Sequence, residues 1–323
     1  MAIAERVEKP PLPPEPPAAA IPLIGRPDAH RRKLARLGWM FSAPALVVIA
    51  VVTLFPIVFS VVMSFENVNV TGSGYQFNGT TLGNYNVILN NQTWRYALGF
   101  TVLYTLITVL VEIILGTAIA LVLERLTHGR GWMMALLLIP WSLITVISAQ
   151  LWYYMYDPSY GIIDRILHAL GFGNPVILGT NTSAIIALMV ADVWKTTPFV
   201  AIIVLAGLVM LSSDVYEAAE VDGANGWTTF WRITFPLLRP TIALAVLFRV
   251  LQAFGLFDLP FVLTQGGPGH ATTSLAVLGY RAMFQDLKFG PGAAVATSTA
   301  LLVVLGCMAF LRVFKAQVGS EGN

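Results

Sequence analysis

Asp214-Val215-Tyr216-Glu217-Ala218-Ala219-Glu220-Val221-Asp222-Gly223-Ala224-Asn225-Gly226-Trp227, running on through Ile233-Thr234-Phe235-Pro236 to Arg239-Pro240, is the only long polar-rich segment between strongly apolar runs in the second half of this chain. Asp214 followed by Glu217 three residues later fits a variant of the capping box, and acidic groups in a first turn complement the helix dipole. The spacing predicts a short helix with Ala218, Val221 and Ala224 near one face and Glu217, Glu220 and Asp222 on others. Asn225-Gly226 then turns the chain. Trp227, Phe230, Trp231 and Ile233 make a second amphipathic piece, which Pro236 and Pro240 are expected to reset into the next apolar run. The product is a helix-turn-helix knob. A loop lying on a lipid surface, anchored by Trp227 and Trp231, is the competing reading, but such a segment wants a Lys/Arg-rich polar face and this one is acidic.

The solvent around the knob follows from composition. With 323 residues, 56% apolar and only 11% charged, the chain has too few polar side chains to coat a globule, and its mean hydropathy is +0.73. Lipid is therefore the solvent for most of it. Cys307, the single cysteine, lies in an apolar run, so no intrachain disulfide can form. A net charge of +2 is too small for a nucleic-acid footprint.

Six runs are long enough to cross a hydrocarbon core of about 30 Å: approximately residues 37–65, 96–123, 132–156, 183–211, 241–263 and 292–314. The expected fold class is an all-α polytopic membrane protein. Residues 1–36 form a Pro-rich and then basic arm (Pro10 to Pro17, then Arg26, Arg31, Arg32, Lys33 and Arg36), expected to be disordered, and residues 316–323 a short tail. The first apolar run is too long for a cleaved signal and reads as a retained span. Basic residues concentrate before span one, after span two (Arg125, Arg130), after span four (Arg232, Arg239) and after span six (Arg312, Lys315). The positive-inside bias puts both termini and the loop of residues 212–240 in the cytoplasm.

At this point the residues carry a resemblance. Glu217-Ala218-Ala219, then Gly223, then Ile233 and Phe235-Pro236 resembles the EAA loop of binding-protein-dependent ABC importer permeases, whose pattern ends in Leu-Pro where this chain has Phe-Pro. Trp39 to Pro44, Phe55-Pro56, Trp194-Lys195-Thr196-Thr197-Pro198-Phe199, Ala206-Gly207-Leu208 and Leu263-Thr264-Gln265-Gly266-Gly267-Pro268 are similar to the maltose-permease-like sugar branch, over roughly residues 37–315. The resemblance implies the six-helix type I importer fold in a prokaryotic plasma membrane. It further implies a second permease subunit in a heterodimer, two ATPase subunits carrying ATP and Mg, and an extracytoplasmic solute-binding protein. The cargo it implies is a neutral sugar, a disaccharide such as trehalose. By position, Glu217, Ala218, Ala219, Asp222 and Gly223 become the ATPase-coupling residues, with a side chain at Gly223 expected to hold two surfaces apart. No Gly-x4-Gly-Lys-Ser/Thr phosphate loop occurs, so the motor must be another chain and this one a transport subunit, neither an enzyme nor itself the holder of a cofactor or metal.

Ionisable residues at membrane depth are costly and default to functional hypotheses. Glu112 lies mid-span with no local basic partner and is expected to bond across the bundle; Asp192 and Lys195 share a helix face and are expected to pair. Arg249 and Gln252 also share a face, and with Phe254, Phe257 and Asp258 they offer the polar and aromatic mixture a sugar needs. In the maltose relatives the equivalent part of this span helps line the sugar site, although they have Asn and Ser where this chain has Arg249, Ala253 and Leu256. Gln150 and Tyr153, in a cluster with Trp152, Tyr154 and Tyr156, complete the substrate-path candidates, with an interfacial aromatic belt as the alternative.

Two other functions compete. A proton-coupled secondary transporter acting alone would use Glu112, Asp192 or Lys195 as a relay, but no inverted repeat is visible. A membrane-embedded enzyme would need clustered reactive groups, whereas His30, His128, His168 and His270 all fall in loops or tails without metal spacing.

Overall fold

The computed structural model describes residues 29–72, 74–173 and 176–320. Most of the Pro-rich arm and the end of the tail therefore lie outside the described residues. Two units divide at Pro56. The first contains the start of α1 (Ala29–Ser64), an apolar helix with Pro44 inside it.

The second unit, from Ile57 on, is a helical bundle closed at one end by small elements. Glu66–Thr71 (β1) pairs antiparallel with Gly74–Thr80 (β2), where the sequence suggested only a polar loop. α2 (Gly83–Asn90) follows, and Asn84 Nδ2 donates to the carbonyls of Ser64 (3.0 Å) and Glu66 (2.9 Å), fixing the exit of α1. The long helices are α3 (Gln92–Arg125), α7 (Asn181–Val209), α10 (Phe235–Phe254) and α13 (Phe289–Ser320). Five helical segments are long and apolar enough to cross a membrane, or six when one bent pair is taken as a span.

That bent pair is the expected run at residues 132–156. It is two helices, α4 (Arg130–Ser142) and α5 (Thr145–Met155), meeting at 88° through the extended residues Leu143 and Ile144. Pro140, in the last turn of α4, removes a helical donor just before the corner. The run at residues 241–263 is also interrupted: α10 ends at Phe254, and α11 (Asp258–Leu263) begins after a break. Two further short helices, α6 (Ile162–Ala169) and α12 (Leu275–Tyr280), complete the elements beside these breaks.

α7 is the axis of the bundle, packed along α3 and against α4 and α10. Small residues permit the close approach. A β-carbon at Gly116 of α3 would lie 2.6 Å from Val200 Cγ1, and one at Gly207 of α7 would lie 2.6 Å from Thr241 Oγ1. Two apolar clusters result. Phe100, Tyr104, Trp152, Leu188 and Leu259 join α3, α5, α7 and α11; Leu123, Val200, Val204, Leu208 and Leu238 join α3, α7 and α10. Along the chain, Glu112 of α3, Asp192 and Lys195 of α7 and Arg249 of α10 fall between the residues of the two clusters.

Candidate functional site

The polar stretch at residues 214–240 forms a knob at one end of the bundle. Its first helix, α8 (Ser213–Val221), is capped by Ser212, whose hydroxyl accepts from the Asp214 amide at 3.3 Å; the cap is thus Ser212 and not the expected Asp214. Its far end closes in a left-handed turn. The amides of Asp222, Gly223 and Ala224 reach the carbonyls of Ala218 (3.0 Å), Glu220 (3.0 Å) and Ala219 (2.9 Å), with Gly223 at φ +74°. A β-carbon there would meet nothing within 4 Å, so this chain asks glycine only for its conformation. Of α8 only Ala219 is buried; Glu217, Ala218, Glu220, Val221, Asp222 and Gly223 face out, Val221 at 88% exposure and the following Trp227 at 73%.

Asn225 begins the return limb, α9 (Gly226–Thr229), its side-chain oxygen accepting from the Thr228 amide at 2.9 Å. The expected reset at Pro236 and Pro240 does not occur. A π-helical turn at Phe230–Thr234 carries α9 directly into α10, with the wider turn accommodating Pro236, which has no amide to donate. Thr234 donates to the Tyr216 hydroxyl at 3.3 Å, tying α8 to this turn. A cavity of about 810 Å³ behind the knob is bounded by Tyr216, Glu217 and Trp227 on one side and by Glu124, Arg125 and Arg130 of the α3–α4 connection on the other. Two of the basic residues that orient the chain thus lie at the same end as the knob.

The second polar centre is inside the bundle. Glu112 (α3) is fully buried and Arg249 (α10) 2% exposed. The Arg249 guanidinium grips Glu112 through Nε and Nη2 (Nη2 to Oε1, 2.8 Å), reaches Asp192 Oδ2 (α7) at 3.3 Å, and donates from Nη1 to Gln252 Oε1 at 2.9 Å. Thr196 donates to Glu112 Oε1 at 2.6 Å. Glu112 therefore does bond across the bundle. The expected Asp192–Lys195 ion pair is replaced by Asp192–Arg249, and Lys195, buried on the same helix, makes no ion pair within 4 Å among the described residues. It still lies in the fields of Asp192 and Asp258. Two carboxylates, one guanidinium and one ammonium sum to zero, which is how a bundle carries four charges at membrane depth.

The other path candidates divide between two places. Gln252 and Asp258 are exposed on either side of the α10–α11 break, Phe254 is half-buried, and Phe257 stacks on Phe261 with ring centres 5.0 Å apart. Gln150 and Tyr153 instead border a cavity of about 520 Å³ with Thr264, Gln265, Gly267 and Pro268. The aromatic cluster around them splits. Tyr153 and Tyr154 are exposed, whereas Trp152 and Tyr156 are buried, Trp152 edge-on to Trp194 at 5.6 Å and the Tyr156 hydroxyl donating to the Ala187 carbonyl at 3.0 Å. The Trp152 and Tyr156 rings are core rather than an interfacial belt.

Sequence reasoning missed two features. The Glu112–Arg249 partnership spans 137 residues, and its only sequence signal is charge parity among apolar spans. The loop after α11 is a built structure rather than a bare turn: Thr264 and Thr272 hydroxyls meet at 2.6 Å, Thr272 and Thr273 donate to the carbonyls of Gly267 (2.8 Å) and Gly266 (2.9 Å), and Arg281 donates to the Gln265 carbonyl. The Thr272-Thr273 pair following the glycines was its available signal.

Residues 116–318, which contain the knob, all of α7 and α10 and most of α13, match the binding-protein-dependent transport system inner membrane component. The chain belongs to that family. It is a transport subunit and a multi-pass membrane protein. Within the family it is 39% identical to the trehalose/maltose transport system permease protein MalF of Thermococcus litoralis over 86% of this chain and 94% of that protein. It is 35% identical to the trehalose transport system permease protein SugA of Mycobacterium tuberculosis (87% and 89%) and 33% identical to the sulfoquinovosyl glycerol transport system permease protein SmoG of Agrobacterium fabrum (87% and 91%). Among solved structures, a chain of the bacterial ABC transporter for the acidic polysaccharide alginate superposes with a TM-score of 0.73 at 19% identity, covering 89% of this chain and 99% of that one. A second alginate transporter structure, in complex with its pentasaccharide-bound periplasmic protein, gives 0.76 at 19% identity, covering 87% and 94%. The family's importer-permease fold, expected from the EAA-like stretch, is therefore this chain's fold.

Proposed function

We propose that this chain is one permease subunit of an ATP-driven importer that moves a neutral sugar, a disaccharide such as trehalose, into the cytoplasm. ATP and Mg are held by two partner ATPase subunits, a second permease completes the pathway, and an extracytoplasmic binding protein delivers the sugar. The observation that carries the reading is the knob. Its face of Ala218, Val221, Asp222 and Gly223 is exposed among the described residues, and its return limb is continuous with α10, so a push on α8 is transmitted to a helix holding the buried charge centre. The basic residues beside it support a cytoplasmic location for the knob and for both termini. The names of two relatives favour a neutral sugar as cargo.

Gly223→Asn separates conformation from contact, since Asn tolerates the left-handed turn while adding bulk outward. In the reconstituted complex this variant is expected to keep the thermal stability of the wild type, and sugar binding to the solute-binding protein, but to lose sugar-stimulated ATP hydrolysis. Normal stimulation in a properly assembled Gly223→Asn complex sinks the coupling assignment. A stand-alone proton relay is disfavoured because Glu112 and Asp192 are both engaged by Arg249.

A further inference from the structure

The level of α6 in the membrane is set by the helix its neighbour α5 packs on. The Tyr156 hydroxyl, just past the end of α5, bonds the Ala187 carbonyl of α7, and Ala187 lies about 33 Å of helix from Val209, the end that leads into the knob, at 1.5 Å per residue. A hydrocarbon core is about 30 Å thick. α6 therefore begins at the membrane boundary away from the knob, whichever side of the membrane the knob occupies.

At 100° per residue α6 divides into three faces. Ile163 and Leu167 pack on the cluster that holds Tyr156 and Leu188, and Asp164 is buried on the same side, in the first turn, where a carboxylate complements the helix dipole. Ile162, Ile166 and Leu170, spaced four apart, form a second face, each more than half exposed. Arg165 and His168 make a third, also exposed. An aliphatic face beside a basic one, at the membrane boundary, places the first in the acyl layer and the second among head groups.

Two observations favour lipid over a second protein on the aliphatic face. Helices that meet protein in a membrane present small residues, as Gly116 and Gly207 do, whereas this face has Ile162, Ile166 and Leu170, with only Ala169 small at its edge. The face also continues into a groove of about 600 Å³, lined by Ile147, Leu151, Tyr154 and Met155 of α5 and by Tyr160 and Ile162, with Gln150 shared with the cavity that Thr264 borders. Tyr154 and Tyr160, exposed and with ring centres 6.3 Å apart, are the side chains that head-group level favours. The Arg165 guanidinium, one turn on from Ile162, has no ion pair or hydrogen bond among the described residues. A phosphate can meet its fork through two N–H bonds. The nearby acids do not oppose this: Asp164 is buried, and Asp157 accepts from the amides of Ser159 (2.8 Å) and Tyr160 (3.3 Å).

We propose that the groove between α5 and α6 binds an anionic phospholipid of the leaflet away from the knob, with an acyl chain against Ile147, Leu151 and Ile162 and the phosphate on Arg165.

The test places the photoreactive residue p-benzoylphenylalanine at Ile166, Leu170 or His168 of the full chain in the assembled transporter, in vesicles of phosphatidylethanolamine and radiolabelled phosphatidylglycerol. Light should attach labelled lipid at Ile166 and Leu170 and little at His168, whose face is in water. Arg165→Gln should lower labelling at Ile166 about fivefold, the worth of one basic residue at an anionic surface, and Arg165→Lys should keep most of it. With the label on phosphatidylethanolamine instead, Arg165→Gln should change labelling little, since that lipid's ammonium offsets its phosphate. Cross-links from Ile166 and Leu170 to another protein chain, in place of lipid, overturn the proposal and make this face a subunit interface. Equal labelling at His168, or labelling at Ile166 that ignores Arg165→Gln, overturns the site, and an equal loss with both lipids overturns the anionic preference.

Discussion

Arg249→Met is the most severe single change this fold offers. The substitution keeps an unbranched stem of similar reach and deletes every N–H that Glu112, Asp192 and Gln252 use. Glu112 is fully buried and would retain only the Thr196 hydroxyl. Asp192 keeps the field of Lys195, so the damage concentrates on Glu112. Removing one partner of a buried ion pair costs about 3–5 kcal/mol, because the surviving charge is left without solvent or counter-ion, and at these burials no screening reduces the figure. Replacing both members with apolar groups removes the stranded charge, so Glu112→Met/Arg249→Met should recover most of that loss. The assay is reversible unfolding in mixed micelles by added ionic detergent, followed by tryptophan fluorescence, for wild type, both single variants and the double variant. An Arg249→Met chain within about 1 kcal/mol of wild type, or a double variant no more stable than it, refutes the argument that charge balance across α3, α7 and α10 holds this bundle together.

Two further expectations concern packing and capping. Gly116→Ala places a methyl 2.6 Å from Val200 Cγ1 and 3.0 Å from the Ala201 amide nitrogen, so it should destabilise the α3–α7 contact by about 1–3 kcal/mol, and adding Val200→Ala should return part of this in the same unfolding assay. Asn225→Ala removes the cap of α9 at a cost of about 1 kcal/mol, which should appear as faster amide exchange at Trp227, Thr228 and Thr229 with exchange in α3 unchanged.

The sequence by itself determined the solvent, the class and the knob. Runs of twenty and more apolar residues admit only helices in lipid, because every backbone group must be satisfied within its own segment. The Glu217-Ala218-Ala219 to Phe235-Pro236 spacing is local, so its residues state their own turn chemistry. The turn between α8 and α9 falls at Gly223, with Asn225 capping α9, where the sequence pointed to Asn225-Gly226, and the cap of α8 at Ser212 lies two positions before the expected Asp214, within the range over which helix ends compete for a cap. The continuity through Pro236 escaped the reading because a π-helical turn depends on how the helix is held and not on proline alone.

Only the tertiary structure decided the partners. Asp192 and Lys195 stand one turn apart and read as a pair, yet the guanidinium arriving from α10, held on Glu112 through two nitrogens, also reaches Asp192 Oδ2 with Nη2 at 3.3 Å, and the pair re-sorts. Trp152 and Tyr156 share one face of α5 by their i, i+4 spacing, and the packing of that face on α7, through Trp194 and the Ala187 carbonyl, is what buries them while Tyr153 and Tyr154 stay exposed. Arg249 and Gln252 were legible as neighbours on one face. That Arg249 also grips Glu112, 137 residues away, was not, because a charge buried in lipid must be met by whatever element the fold brings beside it.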